Sequence, residues 1–428
     1  MSWDENLTDE QKLYASCDLD RHSVLIAGPG TGKTFTIIRK IAYMISEKNI
    51  SPEDIPIVTF TRAAAAELSQ RLKEFLRGEE KMLYVSTLHS FAFRQLIRNQ
   101  ELIANHQLPT PIRVVDDWEE NNLVFEELKV ILKSEKKKIR DYFRKLSADW
   151  DTLKADEDSN DDDRFTSNFL GAWGSHRKIY TYILRSELVY QVKKSIEQIG
   201  DFKLERDFEF VLIDEFQDLN RCDLALIYAL RDQGSNIYGI GDDDQSIYGF
   251  RFAYPDGIRS FEENFSSADV YDLKICQRCD KKIIKLSQFV ANLDKDRVPK
   301  ELKPKEDAED GEIHLYRFKN QNYEAKGIAK ICKALIQKKN YSEGDILILL
   351  RIDSNQNFSE VIKNALLKEG IAVSNQNQES LLDENDGRLL ISFLRLINSS
   401  LNSNGDALLA MCITISIFLM SPMQIPNG

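Results

Sequence analysis

The sequence predicts an α/β fold built on a parallel sheet that is interrupted by a helical insertion. First, Ser23–Ile26 is an apolar run typical of a buried strand. AGPGTGKT, residues 27–34, joins it to residues 35–46, where apolar residues recur at helical spacing. Second, short apolar runs alternate with helical patterns up to about residue 95 and again after residue 208. Third, residues 96–195 between them are charged and mostly helical in pattern.

The segment AGPGTGKT has the composition of a phosphate-binding loop, although the general pattern has glycine where this chain has Ala27. Glycine lets the backbone turn tightly and approach a ligand, and the free N–H groups at the start of a helix attract an anion. Lys33 is predicted to reach the β- and γ-phosphates and Thr34 to bind Mg²⁺. The predicted nucleotide contacts in the loop are Ala27, Gly28, Pro29, Gly30, Thr31, Gly32, Lys33 and Thr34. Lys40, in the helix that follows, is also predicted to bind the nucleotide.

Other apolar runs predict the remaining elements of the sheet. The predicted strands are 55–60, 84–86, 208–213 and 237–240. Thr61 is predicted to cap a helix that begins near Ala63. A second α/β region is predicted from strands at 312–318, 345–351 and 371–373 and from helices at 324–338, 358–368 and 386–398.

Composition predicts a soluble protein of two to four domains, since the chain has 428 residues, 42% of them hydrophobic and 29% charged. There is no N-terminal signal pattern. The longest apolar stretch, 407–420, is shorter than the ~20 residues of a membrane span. Six cysteines in a chain of this length do not suggest a disulfide framework. We therefore expect a cytoplasmic protein without a membrane partner.

The net charge of −12 argues against nucleic-acid binding, but the charge is unevenly distributed. Residues 156–163 are rich in acids and lack the glycine and glutamate that a calcium loop needs at positions 161 and 167, so a solvated loop is predicted. Lysine and arginine cluster within one predicted helical stretch, 129–145. This segregation allows a local surface that faces DNA. A solvated helix face is an equally good interpretation of the basic stretch.

A pair of carboxylates follows the predicted strand that ends at Ile213. Asp214 is predicted to hold Mg²⁺, and Glu215 to polarise an attacking water molecule. Such a pair is common by chance after a strand. In a chain that also has a phosphate-binding loop, it predicts nucleotide hydrolysis.

Two further segments are more specific. Residues 214–218 read DEFQD and residues 241–251 read GDDDQSIYGFR. In this order they resemble the D-E-[FY]-Q-D and G-D-x-x-Q-S-I-Y-x-[FW]-R motifs of the UvrD/Rep family of superfamily 1 DNA helicases. The resemblance implies a RecA-like P-loop NTPase sheet with a helical insertion and a second, incomplete RecA-like domain. It also implies ATP as substrate, Mg²⁺ as cofactor, and single-stranded DNA or single/double-strand junctions as partner.

The resemblance assigns roles around the nucleotide. Residues 7–11, LTDEQ, look like the Q motif of the family, whose glutamine, here Gln11, reads adenine. Residues 273–279 align with motif IV, which gives Arg278 the role of contacting the γ-phosphate, while Gln277 replaces an adenine-stacking tyrosine. Gln217 and Gln245 stand where relatives connect the γ-phosphate to DNA. The predicted catalytic residues are Glu215, Gln217 and Arg278, and the ATP contacts beyond the loop are Gln11, Lys40, Gln245 and Arg278.

The resemblance also implies a track for single-stranded DNA. Residues 58–68 and 86–91 are similar to motifs Ia and Ib, although Arg62 stands where the family usually has asparagine. Bases stack on aromatic rings without regard to sequence. The predicted DNA contacts are Phe60, Thr61, Arg62, Thr87, His89, Tyr248, Phe250 and Arg251. Core packing remains an alternative for each aromatic residue taken singly, as does a structural role for His89.

The domains expected from the resemblance are 1–95 with 196–275 (the RecA-like domain 1A), 96–195 (the helical insertion 1B), 276–385 (part of a second RecA-like domain, 2A) and 386–428 (the start of a helical 2B insertion with an atypical tail). The family's motifs V and VI do not occur in the 428 residues. We therefore expect a truncated chain, or a partner protein that supplies the missing motor parts.

These features favour an ATP-dependent DNA helicase or translocase, with 3′-to-5′ polarity implied by resemblance alone. A regulatory subunit that binds ATP and DNA without unwinding is the alternative. A nuclease that uses Asp242, Asp243 and Asp244 is a weaker one. The Cys276–Cys279 pair has no second pair at zinc-binding spacing, so zinc or redox use is not favoured.

Overall fold

The computed structural model describes residues 2–76, 83–104, 108–157, 164–339, 341–353, 356–374, 387–390 and 393–394. Met1–Gly311 and Glu312–Ile391 belong to two different compact units. Within the described part of the chain, no helix has the length and apolar composition needed to cross a membrane.

The first unit is built on a six-stranded parallel sheet with strand order β3-β2-β4-β5-β1-β6. Its strands are β1 Ser23–Ala27, β2 Pro56–Thr59, β3 Tyr84–Thr87, β4 Phe210–Ile213, β5 Asn236–Gly241 and β6 Asp269–Leu273. Five of them confirm predicted strands to within two residues, whereas β6 was not predicted. A separate short parallel pair joins β7, Ile275–Cys276, to β8, Lys303–Pro304.

Helices connect and cover these strands. In the first unit they are α1 Asp9–Ala15, α2 Lys33–Ser46, α3 Arg62–Leu76, α4 Leu88–Arg98, α5 Gln100–Ala104, α6 Asp117–Glu119, α7 Phe125–Ile131, α8 Lys136–Asp151, α9 Arg164–Tyr180, α10 Leu188–Gln198, α11 Arg221–Asp232, α12 Asp256–Arg259, α13 Phe261–Asn264 and α14 Lys281–Ala291. The second unit contains α15 Gln321–Lys339 and α16 Ser359–Lys368. The predicted cap at Thr61 is confirmed, because its Oγ1 accepts the N–H of Ala64 at 3.1 Å.

Successive side chains of a strand point to opposite faces of the sheet, and every residue of β1, β2 and β4 is buried. In β1, Val24 and Ile26 join one apolar core, while Leu25 and Ala27 join the other. The second core also contains residues of α1, α2 and α3. The inner strands of the sheet are therefore covered on both sides, as is typical of parallel sheets.

The helical insertion shares the first of these cores. Phe143 packs edge-on against Phe169 and Trp173, with ring centroids 5.2 and 5.8 Å apart, and all three belong to the core that covers one face of the sheet. The basic stretch 129–145 is not one helix, because α7 ends at Ile131 and α8 begins at Lys136. Lys133 between them has a positive φ of 48°, which a helix does not permit.

The carboxyl ends of the parallel strands bring the predicted site residues together. Each strand leads into a segment that carries some of them: 27–34 after β1, 60–62 after β2, 87–89 at the end of β3, 214–218 after β4, 242–251 after β5 and 274–278 after β6. Ligands of open parallel sheets bind at this edge. The fold therefore brings together segments that are spread along the chain from residue 27 to residue 278.

The second unit differs from its prediction. The helices expected at 324–338 and 358–368 are confirmed as α15 and α16. The two helices share an apolar core, to which α15 contributes Ala329 and Cys332 and α16 contributes Leu366. The strands expected at 312–318, 345–351 and 371–373 were wrong, because none of these described residues enters a strand ladder. Leu315 and Leu349 are 94% and 82% exposed. Of the helix expected at 386–398, residues 387–390 and 393–394 are helical, and the rest lies outside the described residues.

Residues 276–311 pack with the first unit, although a domain boundary was expected at 275/276. Two contacts explain this. The backbone N–H of Gln277 donates to the carbonyl of Gly30, in the loop after β1, at 2.8 Å. Arg297 and Lys300 form ion pairs with the segment after β5. The assignment of 276–385 as a separate domain remains a prediction.

Candidate nucleotide and nucleic-acid site

The loop after β1 needs glycine for two independent reasons. Gly30 and Gly32 have φ values of +74° and +94°, a region that other residues rarely adopt. A Cβ atom at Gly30 would lie 2.7 Å from Sγ of Cys276, and one at Gly32 would lie 2.7 Å from Nε2 of Gln11. The turn itself is fixed by Thr31, whose Oγ1 donates to the Gly28 carbonyl at 2.8 Å. The loop is thus a preformed cradle at the start of α2.

Gln11 lies against this cradle. It forms a capping box with Thr8 at the start of α1, where Oε1 of Gln11 accepts the N–H of Thr8 at 3.0 Å. Its Nε2 donates to the Thr31 carbonyl at 3.1 Å. The glutamine that resemblance assigns to adenine is therefore held rigidly beside the phosphate loop.

Lys33 occupies the first position of α2 and faces two polar side chains, one from the segment after β4 and one from the segment after β5. Its Nζ lies 3.3 Å from Oε2 of Glu215 and 3.4 Å from Oε1 of Gln245. The side chain of Lys33 is only 12% exposed. It therefore sits between the loop, the segment after β4 and the segment after β5, where it can exchange these partners for phosphate oxygens.

Glu215 is held in a left-handed backbone conformation, with φ of 53°. Its N–H donates to Oδ1 of Asp214 at 3.0 Å, and its Oε2 accepts the amide of Gln217 at 2.8 Å. Strain of this kind is uncommon outside glycine and concentrates at functional sites. Here it turns the carboxylate of Glu215 toward Lys33.

Negative charge exceeds positive charge at this point. Burial, and after it the charge of Glu215, raises the pKa of Asp214 to about 7. The same two causes raise the pKa of Asp218 to about 7. Within the described part of the chain, Oδ1 of Asp218 has no hydrogen-bond partner. Together with the hydroxyl of Thr34 in the first turn of α2, these hard oxygen donors suit Mg²⁺.

A relay of hydrogen bonds connects the segments after β4 and β5. Oε1 of Gln217 accepts the N–H of Asp242 at 3.0 Å. Nε2 of Gln245 donates to Oδ2 of Asp242 at 2.5 Å. Both glutamines therefore contact Asp242, and each also reaches a partner at the nucleotide site, Glu215 or Lys33.

Arg278 is placed beside the phosphate loop by the backbone around it. The N–H of Gln277 donates to the Gly30 carbonyl at 2.8 Å. A Cβ atom at Gly30 would lie 2.9 Å from Cβ of Arg278, whose side chain is exposed. Sequence reasoning missed Leu302, which covers the loop from the same direction, with Cδ1 3.0 Å from a Cβ built at Gly28.

Lys40 is the predicted nucleotide contact that the structure does not bring to the loop. It lies two helical turns beyond Lys33 in α2 and is fully buried. Its Nζ donates to the Tyr14 carbonyl at 3.3 Å and to Sγ of Cys17 at 3.0 Å, above the rings of Tyr14 and Tyr238. Lys40 therefore fastens α1 to α2 instead of facing a phosphate.

Three predicted stacking residues form a continuous aromatic surface. The ring centroids of Phe60 and Tyr248 are 4.7 Å apart, and those of Tyr248 and Phe250 are 5.8 Å apart. Phe250 is 76% exposed. Core packing is therefore excluded for Phe250. Phe60 and Tyr248 are half-buried. This aromatic row, with Phe250 as its exposed member, can stack with bases.

Three arginines lie near His89, and one of them, Arg251, has its guanidinium carbon 5.9 Å from the ring centroid of Tyr248. Burial, and then the charges of Arg185, Arg251 and Arg62, lower the pKa of His89 to about 4. Arg62 and Arg251 were predicted DNA contacts, whereas Arg185 comes from the insertion and no motif marked it. Each carries positive charge that would attract a phosphodiester backbone.

The two predicted threonines lie next to these residues but have structural partners. Thr61 caps α3, as described above. Oγ1 of Thr87 accepts the N–H of Ser90 at 3.2 Å and caps α4. Both helices therefore begin at the carboxyl edge of the sheet, close to the predicted DNA track.

His89 predicts a pH effect that can be measured. As pH falls below 6.5, the unfolded chain protonates this histidine while the folded chain does not until about pH 4, so folding stability is lost in that window. In His89→Gln, we expect the loss of unfolding free energy between pH 7 and pH 5 to shrink by up to about 2 kcal/mol. Urea unfolding at both pH values measures it. His314→Gln, at an exposed histidine, is the control, and equal acid sensitivity of His89→Gln and the native chain would contradict the prediction.

The nuclease alternative finds no support in the geometry. The carboxylates of Asp242, Asp243 and Asp244 lie close enough to share a metal ion. However, Lys300 lies within ion-pair distance of all three, and Arg297 and Arg259 pair with Asp244 and Asp243. The cations around these three carboxylates therefore come from the protein itself, and no sequence pattern predicted them there. In the described residues, Cys276 and Cys279 do not join any cluster of three metal-ligating side chains.

Comparison with known proteins agrees with this arrangement. The sequence model described as "UvrD/REP helicase N-terminal domain" matches residues 7–266, and that described as "UvrD-like helicase C-terminal domain" matches residues 271–411. The chain is 28% identical over 403 residues to an ATP-dependent DNA helicase PcrA of Staphylococcus epidermidis, covering 92% of this chain and 53% of the relative. It is 26% identical over 404 residues to a PcrA of Staphylococcus aureus, with the same coverage. The chain thus spans about half the length of the curated relatives it matches.

Proposed function

Because this chain belongs to the UvrD/REP helicase family, we propose that it hydrolyses ATP and couples hydrolysis to movement along single-stranded DNA, as a helicase or translocase. One observation carries the proposal. Gln245 contacts Lys33 in the phosphate site, and three residues further along the same segment Tyr248 lies between Phe60 and Phe250 in the aromatic row. A single short segment thus joins the two proposed ligand sites.

The nucleotide chemistry follows from the residues at the carboxyl edge. The backbone N–H groups of the loop and the amine of Lys33 bind the β- and γ-phosphates. Thr34 and Asp214 would hold Mg²⁺, which when bound supplies positive charge against the phosphate oxygens. Glu215 orients and polarises the attacking water, and Arg278 contacts the γ-phosphate from the segment after β6.

Coupling follows from the relay. When phosphate replaces Glu215 and Gln245 as the partner of Lys33, both side chains must find new hydrogen bonds. Gln245 moves the segment that carries Tyr248, and Gln217 shares its partner Asp242. The position of the aromatic row therefore depends on whether the γ-phosphate is present.

The first test is the ATPase rate of the chain with and without single-stranded DNA, followed by unwinding of duplexes that carry a 3′ or a 5′ tail. Stimulation by DNA is the expected result, and unwinding of the 3′-tailed duplex alone would support the polarity implied by resemblance. Binding of ATP and DNA without turnover would instead indicate the regulatory subunit. Cleavage of the strand by metal without ATP would favour the nuclease.

The aromatic row gives a prediction for DNA binding. Phe250→Ala should weaken binding of single-stranded oligonucleotides about tenfold, because stacking contributes ~1–3 kcal/mol per base. Fluorescence anisotropy measures the affinity, and basal ATPase should be unchanged because Phe250 is exposed and away from Lys33. Ile247→Ala removes a side chain of the same segment that is 72% exposed and has no ring, so it serves as the control. Equal affinities for the two variants would argue against stacking at Phe250.

A further inference from the structure

Lys300 is the centre of a compact charge cluster at the carboxyl end of β5. Its Nζ lies 2.7 Å from Oδ1 of Asp242 and 3.1 Å from Oδ2 of Asp244, and it also bonds Oδ1 of Asp243. The side chain of Lys300 is 12% exposed, and those of Asp242 and Asp243 are fully buried. A buried carboxylate without a cation is strongly unfavourable. The amine of Lys300 is therefore a cation that both buried carboxylates share.

The rest of the cluster balances the remaining charge. Arg297 pairs with both oxygens of Asp244, at 2.9 and 2.6 Å. Nε of Arg259 donates to Asp243 at 3.1 Å. Burial alone would lower the pKa of Lys300, but the charges of Asp242 and Asp243 outweigh it and raise that pKa. Three cations thus meet three carboxylates, and Lys300 is the one that bonds Asp242.

Asp242 is the member that leads to the nucleotide site. Its Oδ1 faces Lys300 while its Oδ2 accepts the amide of Gln245, so the two oxygens of one carboxylate join the two residues. Gln245 in turn contacts Lys33. From the backbone N–H of Asp242, a second route runs through Gln217 to Glu215.

The segment that carries Lys300 also reaches the phosphate loop directly. Two residues further along, Leu302 packs on Gly28. The carbonyl of Leu302 accepts Nε2 of Gln288 from α14 at 2.8 Å, which fixes its place. A displacement of residues 300–302 would therefore change contacts at two places in the nucleotide site. One is the phosphate loop, and the other is Gln245.

We propose that Lys300 is a positioning residue that holds the Asp242 carboxylate so that Gln245 transmits the state of the phosphate site to the aromatic row at Tyr248 and Phe250. The inference rests on the proposed function and deepens it, because it names the side chain on which coupling depends. Without the Lys300 amine, Oδ1 of Asp242 loses its cationic partner. The carboxylate is then free to turn, and Gln245 loses its fixed acceptor. Lys300 itself need not touch ATP or DNA.

The experiment compares Lys300→Met with Arg297→Met. Each substitution removes one cation of the same cluster with 12% exposure, but Arg297 bonds Asp244 and not Asp242. Lys300→Arg retains the charge, and Lys295→Met changes an exposed lysine of the same segment. Two properties are measured for each variant without DNA: the thermal midpoint and the basal ATPase rate. The DNA-dependent ATPase then gives kcat and the DNA concentration at half-stimulation.

We expect Lys300→Met to lower the ratio of DNA-stimulated to basal kcat about tenfold, with anisotropy showing DNA affinity changed by less than about threefold. Arg297→Met should lower the thermal midpoint about as much as Lys300→Met does, but it should retain stimulation of the ATPase by DNA. Lys300→Arg should show most of the native stimulation. Equal loss of stimulation in Lys300→Met and Arg297→Met, in proportion to their thermal midpoints, would show a structural role and overturn the inference. Full stimulation in a folded Lys300→Met would also overturn it. If the native chain shows no DNA-stimulated ATPase, the proposed function itself fails, which this first measurement distinguishes.

Discussion

Replacement of Lys33 by alanine is expected to lower the ATPase rate about 10²–10³-fold, the cost typical of removing one charge-stabilising donor from a catalytic site. The amine of Lys33 forms an ion pair with Glu215, and its Nζ lies 3.3 Å from Oε2 of that residue. Its loss leaves Asp214, Glu215 and Asp218 without their shared positive neighbour. Nucleotide phosphates would then meet net negative charge, so ATP binding should weaken together with turnover.

Lys48→Ala is the matched control for Lys33→Ala, because Lys48 is exposed just beyond the opposite end of α2. Both variants are measured by steady-state ATPase, by binding of a fluorescent ATP analogue and by thermal unfolding. A folded Lys33→Ala protein that hydrolyses ATP at the native rate would exclude the loop as the site of hydrolysis. A folded variant that binds the analogue normally would exclude Lys33 as the phosphate contact.

Much of this site could be predicted from the sequence because each part follows a strand directly. The loop after β1 and the acids after β4 are adjacent in sequence to short apolar runs. The carboxyl ends of parallel strands meet at one edge. Local patterns therefore predicted which residues would meet at this edge, and the resemblance to the helicase family predicted the role of each. The structure adds the contacts, such as the one between Lys33 and Gln245, 212 residues apart.

The parts that were missed depend on contacts between distant residues without a local signature. Lys300 stands in a polar stretch whose lysine and arginine could equally be solvated, and only the fold brings it to Asp242. Lys40 shows the reverse case. It follows the loop in sequence, but the helix turns it toward Tyr14 and Cys17.

The prediction of strands in the second unit was wrong for a related reason. An apolar run predicts burial, but a strand also needs a neighbour for its backbone hydrogen bonds. Ile346 and Ile348 do pack against α15 and α16, whereas Leu347 and Leu349 between them are exposed. The alternation typical of a strand is therefore present at 345–351, without a ladder among the described residues.

Replacement of Glu215 by glutamine separates binding from hydrolysis. The amide oxygen of glutamine can still accept from Lys33 and Gln217, so the hydrogen bonds around position 215 and the binding of ATP should persist. Glutamine cannot accept a proton from the attacking water, and loss of a general base costs about 10²–10⁴-fold in rate. We therefore expect kcat to fall by that factor while the affinity for ATP changes by less than about threefold.

The same variant tests the coupling of the two ligands. With ATP bound and not hydrolysed, Glu215→Gln should hold one nucleotide state, so its dissociation rate from single-stranded oligonucleotides, measured by stopped-flow fluorescence, should differ between ATP and ADP. Glu209→Gln, an identical charge change directly before β4, at the opposite end of that strand, should keep the native turnover. If Glu215→Gln retains native kcat, another group activates the water and the assignment of Glu215 is wrong. If its DNA dissociation rate is the same with ATP and ADP, the relay through Gln217, Asp242 and Gln245 does not carry the state of the nucleotide to the aromatic row.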